Sequence, residues 1–139
     1  MRLLVDTCVL SELNRPKPDP RVRARLSALD DQDIYLSVVT IGELVHGIAR
    51  LVKSKRKAAL AAWLTQLESL YGDRILPIDS DTARIWGQLT AIAGLKGRTI
   101  PATDGLIAAT ALRHGLHVMT RNSADFEATG VMLIDPWKD

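Results

Sequence analysis

A chain of 139 residues, 47% hydrophobic and 24% charged, has the size and make-up of one packed domain, and dividing it would leave halves with marginal cores. That composition excludes wholesale disorder, and no run approaches the ~18 apolar residues that span a bilayer. A net charge of +2, from 18 basic and 16 acidic residues, excludes a uniformly acidic or basic surface but leaves the charge free to be distributed unevenly.

Leu3-Leu4-Val5 reads as a first strand, ending at Asp6-Thr7, where a helix to about Leu13 begins. An acid at position 6 interrupts what a signal peptide would keep apolar, and the single cysteine, Cys8, has no internal disulfide partner. Both features fit a reducing, cytoplasmic setting. Residues 14–20 carry three prolines and form a loop. Arg21 to Leu29 repeats apolar residues at helical spacing, with arginines between them.

Residues 34–39, rich in β-formers, are a second strand. Thr40-Ile-Gly-Glu43 then matches a capping box, with Thr40 as N-cap and Glu43 as its reciprocal partner, opening a helix to about Val52. After a basic segment, a long Ala- and Leu-rich helix runs to Tyr71 and stops near Gly72. Residues 75–78 are a third strand, placed near a sheet edge because Pro77 lacks a ladder donor. Asp79-Ser80 caps another long helix, with Ala83, Trp86, Leu89 and Ala93 on one face. Gly94 to Gly97 ends it. Residues 101–104 open a helix to about His114, closed by Gly115. Residues 117–120 and 132–134 are the last two strands.

Strands joined by helical crossovers predict an α/β fold: a mostly parallel five-stranded sheet with helices on both faces, formed by residues 1–139 as one domain. Sites in such sheets lie beyond the carboxyl ends of the strands. Asp6 ends the first strand, Glu43 lies shortly beyond the second, Asp125 shortly beyond the fourth, and Asp104 begins a helix on the same side. Four acids from four segments are thereby expected at one end of the sheet.

Each acid has an adequate structural explanation alone. Asp6 is a helix cap, Glu43 a capping-box partner, Asp104 a first-turn carboxylate facing a helix dipole, and Asp125 a loop acid. Their convergence is harder to explain. Two carboxylates about 5 Å apart repel by roughly 3 kcal/mol at an effective dielectric near 20, so four require protons or a cation. An all-oxygen cluster without thiolates or paired histidines suits a hard ion, Mg²⁺ or Mn²⁺. Such an ion activates water for attack on phosphorus without a protein nucleophile. With the four acids set aside, 12 acidic residues face 18 basic ones, a surplus of +6 that suits a polyanion.

The motifs around these residues are specific in combination. The segment from Leu4 through Asp6 to Glu12, Thr40 to Leu44, Ala102 to Ala109 and Thr120 to Phe126 resemble, in order and nearly in spacing, the successive acidic motifs of PIN-domain ribonucleases. The resemblance spans essentially the whole chain and is nearest to the VapC and FitB-like toxins of bacterial toxin–antitoxin modules. It implies a three-layer α/β/α fold and Mg²⁺- or Mn²⁺-dependent cleavage of RNA. It assigns Asp6, Glu43 and Asp104 as principal metal-binding acids and Asp125 as a fourth acting through water. Thr120, Thr7 and Asn122 take the place of polar residues lining the site. It also implies a homodimer and a cognate antitoxin bound across the active-site groove.

Other residues invite functional readings. His46 follows Glu43 at the Glu-x-x-His spacing of di-iron bundles, but those sites draw acids from four helices. Arg50, Lys53, Lys55, Arg56 and Lys57 form the densest basic run, either a solvated helix connection or a contact for RNA phosphates or an acidic antitoxin segment. Arg15, Arg21, Arg23 and Arg25 are candidates for the groove border. Trp63, Trp86 and Trp137 read as core or interface residues.

Rival chemistries fare worse. A phosphatase of the haloacid dehalogenase type needs a second Asp where Cys8 stands. Dinucleotide binding lacks a glycine-rich turn after the first strand, and a receiver-type phosphoacceptor lacks paired acids there. The non-enzymatic rival is a PIN-like scaffold that binds RNA or protein without cutting it.

Overall fold

The first strand, β1 (Leu3–Val5), is buried along its whole length, as a strand covered on both faces requires. Its side chains part between two cores. Leu3 and Val5 join Val9, Val22, Leu64 and Leu67, while Leu4 joins Ile107, Ala108 and Phe126 on the opposite face. This structure is a computed structural model, described here for residues 1–138.

After β1 come α1 (Thr7–Leu13), α2 (Pro20–Ser27), β2 (Ile34–Ser37), α3 (Val38–Ala49) and α4 (Lys55–Tyr71). Then follow β3 (Ile75–Leu76), α5 (Ser80–Leu95), α6 (Ala102–His114), β4 (His117–Met119), α7 (Ser123–Phe126) and β5 (Leu133–Ile134). All pairings are parallel, in the order β3-β2-β1-β4-β5. Helices α1 to α4 pack on one face. On the other, α6 lies against the sheet and α5 packs on it through Leu89, Ala93 and Ala109. The expected three-layer α/β/α architecture is therefore the one found. Among the described residues no helix is long and apolar enough to cross a membrane.

The chain grows outward from β1 through β2 to the edge strand β3, then returns to add β4 and β5 on the other side. The reversal point lies between β1 and β4, where a crevice opens beyond the strand ends. The edge position of β3 matches the expectation from Pro77. That proline also explains a difference from the sequence reading. Strand β2 pairs with β3 only through Leu36 and Ser37, because β3 stops at Leu76, so Val38 and Val39 have no ladder to join.

The chain accordingly turns helical three residues early. Ser37, not Thr40, is the N-cap of α3, its Oγ accepting from Val39 N at 3.1 Å. The expected capping box is thus wrong. Thr40 is fully buried inside the helix, and Glu43 lies past the first turn, free of capping duty. Helix α2 starts at Pro20 under an Asp19 cap and ends at Ser27, α3 ends at Ala49, Ala83 falls on the exposed side of α5, and residues 123–126 form the short helix α7, which no sequence signal marks.

Candidate active site

Asp6 caps α1 from the end of the central strand, and its carboxylate is 4% exposed. Thr7 N donates to Oδ1 at 2.8 Å and Thr120 Oγ1 to Oδ2 at 2.8 Å. The second bond crosses the β1–β4 reversal point, and the Thr120 oxygen in turn accepts from Asn122 N at 3.0 Å. Both Asp6 oxygens are held by donors that fix the carboxylate without neutralising it.

A second link runs to α3. Thr7 Oγ1 donates to Glu43 Oε1 at 2.7 Å and lies 3.1 Å from Thr40 Oγ1. One threonine therefore holds two candidate acids, through its backbone N–H and its hydroxyl. Thr40, read as a cap from sequence, belongs instead to this buried polar chain. A strand two residues shorter than its β-propensity indicated would have placed it there.

Asp104 lies half-buried in the first turn of α6, where a helix dipole favours the ionised form. Its carboxyl is nonetheless pushed up to about 6, first by burial and then by the charges of Asp6, Asp125 and Glu43. Burial and three like charges outweigh the dipole. Asp125 is exposed on α7, beside the buried Phe126 that anchors the turn. The electrostatics thus join all four sequence-selected acids. Asn122 takes part through its backbone, and its exposed side chain has no hydrogen bond among the described residues.

Among the described residues none of the four acids forms an ion pair; the paired acids are Glu12, Asp19, Asp79, Asp81 and Glu127. Nor do any three His, Cys, Asp or Glu side chains there close into a ready-made ligand cage. The donor set is four carboxylates and hydroxyls, unpaired with any cationic side chain and repelling one another. It fits a hard divalent ion that keeps several of its waters.

Cys8 Sγ lies 3.6 Å from both Asp6 Oδ2 and Thr120 Oγ1. Burial and the Asp6 charge push its thiol up to about 11, so it stays protonated as a packed residue. His46 is exposed and shares a surface cavity with Glu43 and Thr103. Trp137 is buried in the core beneath α1 to α4 with Trp63 partly buried against that core, while Trp86 packs partly buried against the cluster between α5 and α6.

The position of Asp104 depends on its neighbour. A Cβ on Gly105 would stand 3.1 Å from Trp86 Cδ1 and Nε1 and 3.4 Å from Ile100 Cγ2. Glycine there lets α6 approach α5 closely. Gly105→Ala is expected to cost about 1–3 kcal/mol by overpacking, read as a lowered denaturant midpoint.

The chain matches the PIN domain over residues 3–131. It is 44% identical to Toxin FitB of Neisseria gonorrhoeae over 138 residues, covering 99% of both chains. It is 40% identical to VapC ribonuclease Y4jK of Sinorhizobium fredii, covering 98% of both. The crystal structure of FitAcB from Neisseria gonorrhoeae superposes with a TM-score of 0.93 at 43% identity, over 97% of this chain and 98% of that one. The chain belongs to the PIN-domain family, in its FitB and VapC group.

Proposed function

We propose that this chain is a divalent-metal-dependent endoribonuclease, the toxin of a type II toxin–antitoxin pair. The observation that carries the reading is the shared field of Asp6, Glu43, Asp104 and Asp125 at one sheet end, with no cationic side chain paired to them among the described residues. The relatives' names support a ribonuclease and a toxin.

In this reading Asp6, Glu43 and Asp104 hold Mg²⁺ or Mn²⁺ directly, and the exposed Asp125 contributes through water. The bound ion supplies Lewis acidity toward a phosphoryl oxygen and acidifies water. The chain's own work is positional. Thr120 and the Thr7 N–H hold both Asp6 oxygens, the Thr7 hydroxyl aims Glu43, and Asn122 sets the turn that carries Asp125. The carboxylates orient the attacking water, and no protein nucleophile is required; the one nearby thiol is protonated.

The same proposal includes a cytoplasmic homodimer inhibited by a cognate antitoxin. Exposed Ile92 and Leu95 on α5, 55% and 89% accessible, support a covering partner chain. Purified protein is expected to cut RNA in Mg²⁺ or Mn²⁺ and to stop when EDTA is added. Its expression alone should arrest growth, and co-expression of a small DNA-binding protein from the adjoining reading frame should rescue it. Tight RNA binding without cleavage under any divalent ion would favour a scaffold instead. Growth unaffected by active enzyme would favour RNA processing.

A further inference from the structure

Three surface cavities share lining residues in turn, and this chain of hollows, here called the trough, leads from Glu43 to the start of α4. The first holds Thr103, His46, Glu43 and Thr7; the second shares Thr7 and Glu43 and adds Arg56; the third shares Arg56 and adds Lys55. The trough is therefore polarised, acidic beside Glu43 and basic at the start of α4. Between its ends, Leu44 and Ile48 of α3 and Leu60 and Trp63 of α4 give it apolar walls.

The basic residues at its far end are not equivalent. Lys57 Nζ donates to the carbonyls of Leu51 at 3.0 Å and Ala49 at 3.4 Å, closing the end of α3. That is a structural role. Lys55 and Arg56 are exposed and make no ion pair or side-chain hydrogen bond among the described residues. They also occupy the first turn of a helix, where its dipole opposes positive charge, and no acid accompanies them. Helix stability therefore does not explain them.

We infer that Arg56, assisted by Lys55, binds a phosphate flanking the scissile one, so that a single RNA strand runs along the trough from Glu43 to the start of α4. This rests on the ribonuclease reading. Glu43 and Arg56 line one cavity, and Arg56 is the cation among its lining residues, so a strand that reaches Glu43 through this cavity passes Arg56. The apolar walls between offer surface to an unpaired base, whereas a duplex would keep its bases stacked inside. Arg56 is thus a positioning residue that acts on binding and leaves the chemical step to the carboxylates.

The test uses the full chain and a short single-stranded RNA spanning a mapped cleavage position. Arg56→Ala should raise KM about tenfold with kcat nearly unchanged, and lower the salt dependence of binding by about one unit of slope. Arg56→Lys should recover most of the KM, and Lys55→Ala should give a smaller loss. Lys57→Ala should instead lower Tm and leave the salt slope intact. Arg56 is exposed, so its variants should fold with unchanged Tm. If wild type cuts RNA and Arg56→Ala keeps its KM and salt slope, the inference is overturned. If Arg56→Glu still cleaves normally but no longer binds the antitoxin, the trough belongs to a protein partner and the inference is equally overturned. Wild type that neither binds nor cuts RNA would instead sink the ribonuclease reading on which it rests.

Discussion

Asp6→Asn is expected to lower RNA cleavage by at least about a hundredfold while leaving the fold intact. Changes to residues that merely orient metal ligands cost 10–100-fold, so a direct ligand lies at or beyond the upper end. Asp6 is the acid held most rigidly, with hydrogen bonds on both oxygens and 4% exposure. The amide is nearly isosteric and still offers one oxygen to Thr7 or Thr120. It also removes a charge that raises Asp104. Metal-free Asp6→Asn should therefore be at least as stable as wild type near neutral pH, separating lost activity from lost folding. The decisive pair of measurements is single-turnover cleavage in Mg²⁺ and thermal unfolding in EDTA. Cleavage within twofold of wild type in a correctly folded variant would remove Asp6 from the mechanism.

The second large effect concerns pH and metal together. Asp104 titrates near 6 in the folded chain and close to 4 when unfolded. Between those values the folded state holds a proton that the unfolded state has released. The stability conferred by the protonated carboxyl is complete below about 4 and is lost as pH rises through about 6. In EDTA, Tm should fall across that interval.

Under the proposed function a divalent ion would replace the proton among the four acids, so added Mg²⁺ should raise Tm clearly at pH 7.5 and little at pH 5. Asp104→Asn should flatten both responses. Asp79 and Asp19 do not mimic the effect. Hydrogen bonds from Thr82 and Arg21 hold them below the usual carboxylate range, so their contributions change on the acid side of this window and with the opposite sign. A Tm in EDTA that stays level from pH 4 to 7 would show that the four charges do not share one field.

Much of this protein was legible before any coordinates. The alternation of short apolar strands with amphipathic helices predicts a parallel sheet covered on both faces, and all five strands lie in one. Gly115 at φ +68° ends α6 as its sequence position indicates. The short motifs around Asp6, Glu43, Asp104 and Asp125 selected the residues that the electrostatics later join. Each of these is a local or periodic signal, written in neighbouring residues.

The misreading at the start of α3 has a nonlocal cause. Val38 and Val39 have high β-propensity, yet they lie in a helix because the adjacent strand ends at Leu76 before Pro77. Pairing with a distant segment overrode propensity, and that same override turned Thr40 and Glu43 from a capping box into parts of the candidate site.

That the four candidate acids follow the strands and open the helix at one end of the sheet was determined by sequence alone, because the order of strands and helices is marked locally even where a boundary, as at Val38, is not. Only the tertiary structure decided that Thr120 reaches across 114 positions to Asp6, that Thr7 holds Glu43 from 36 positions away, and that Arg56 faces the same cavity as Glu43. Those relations depend on strand order and on how helices pack across it. No local pattern encodes them, because each is the meeting of two segments that are strangers in the chain.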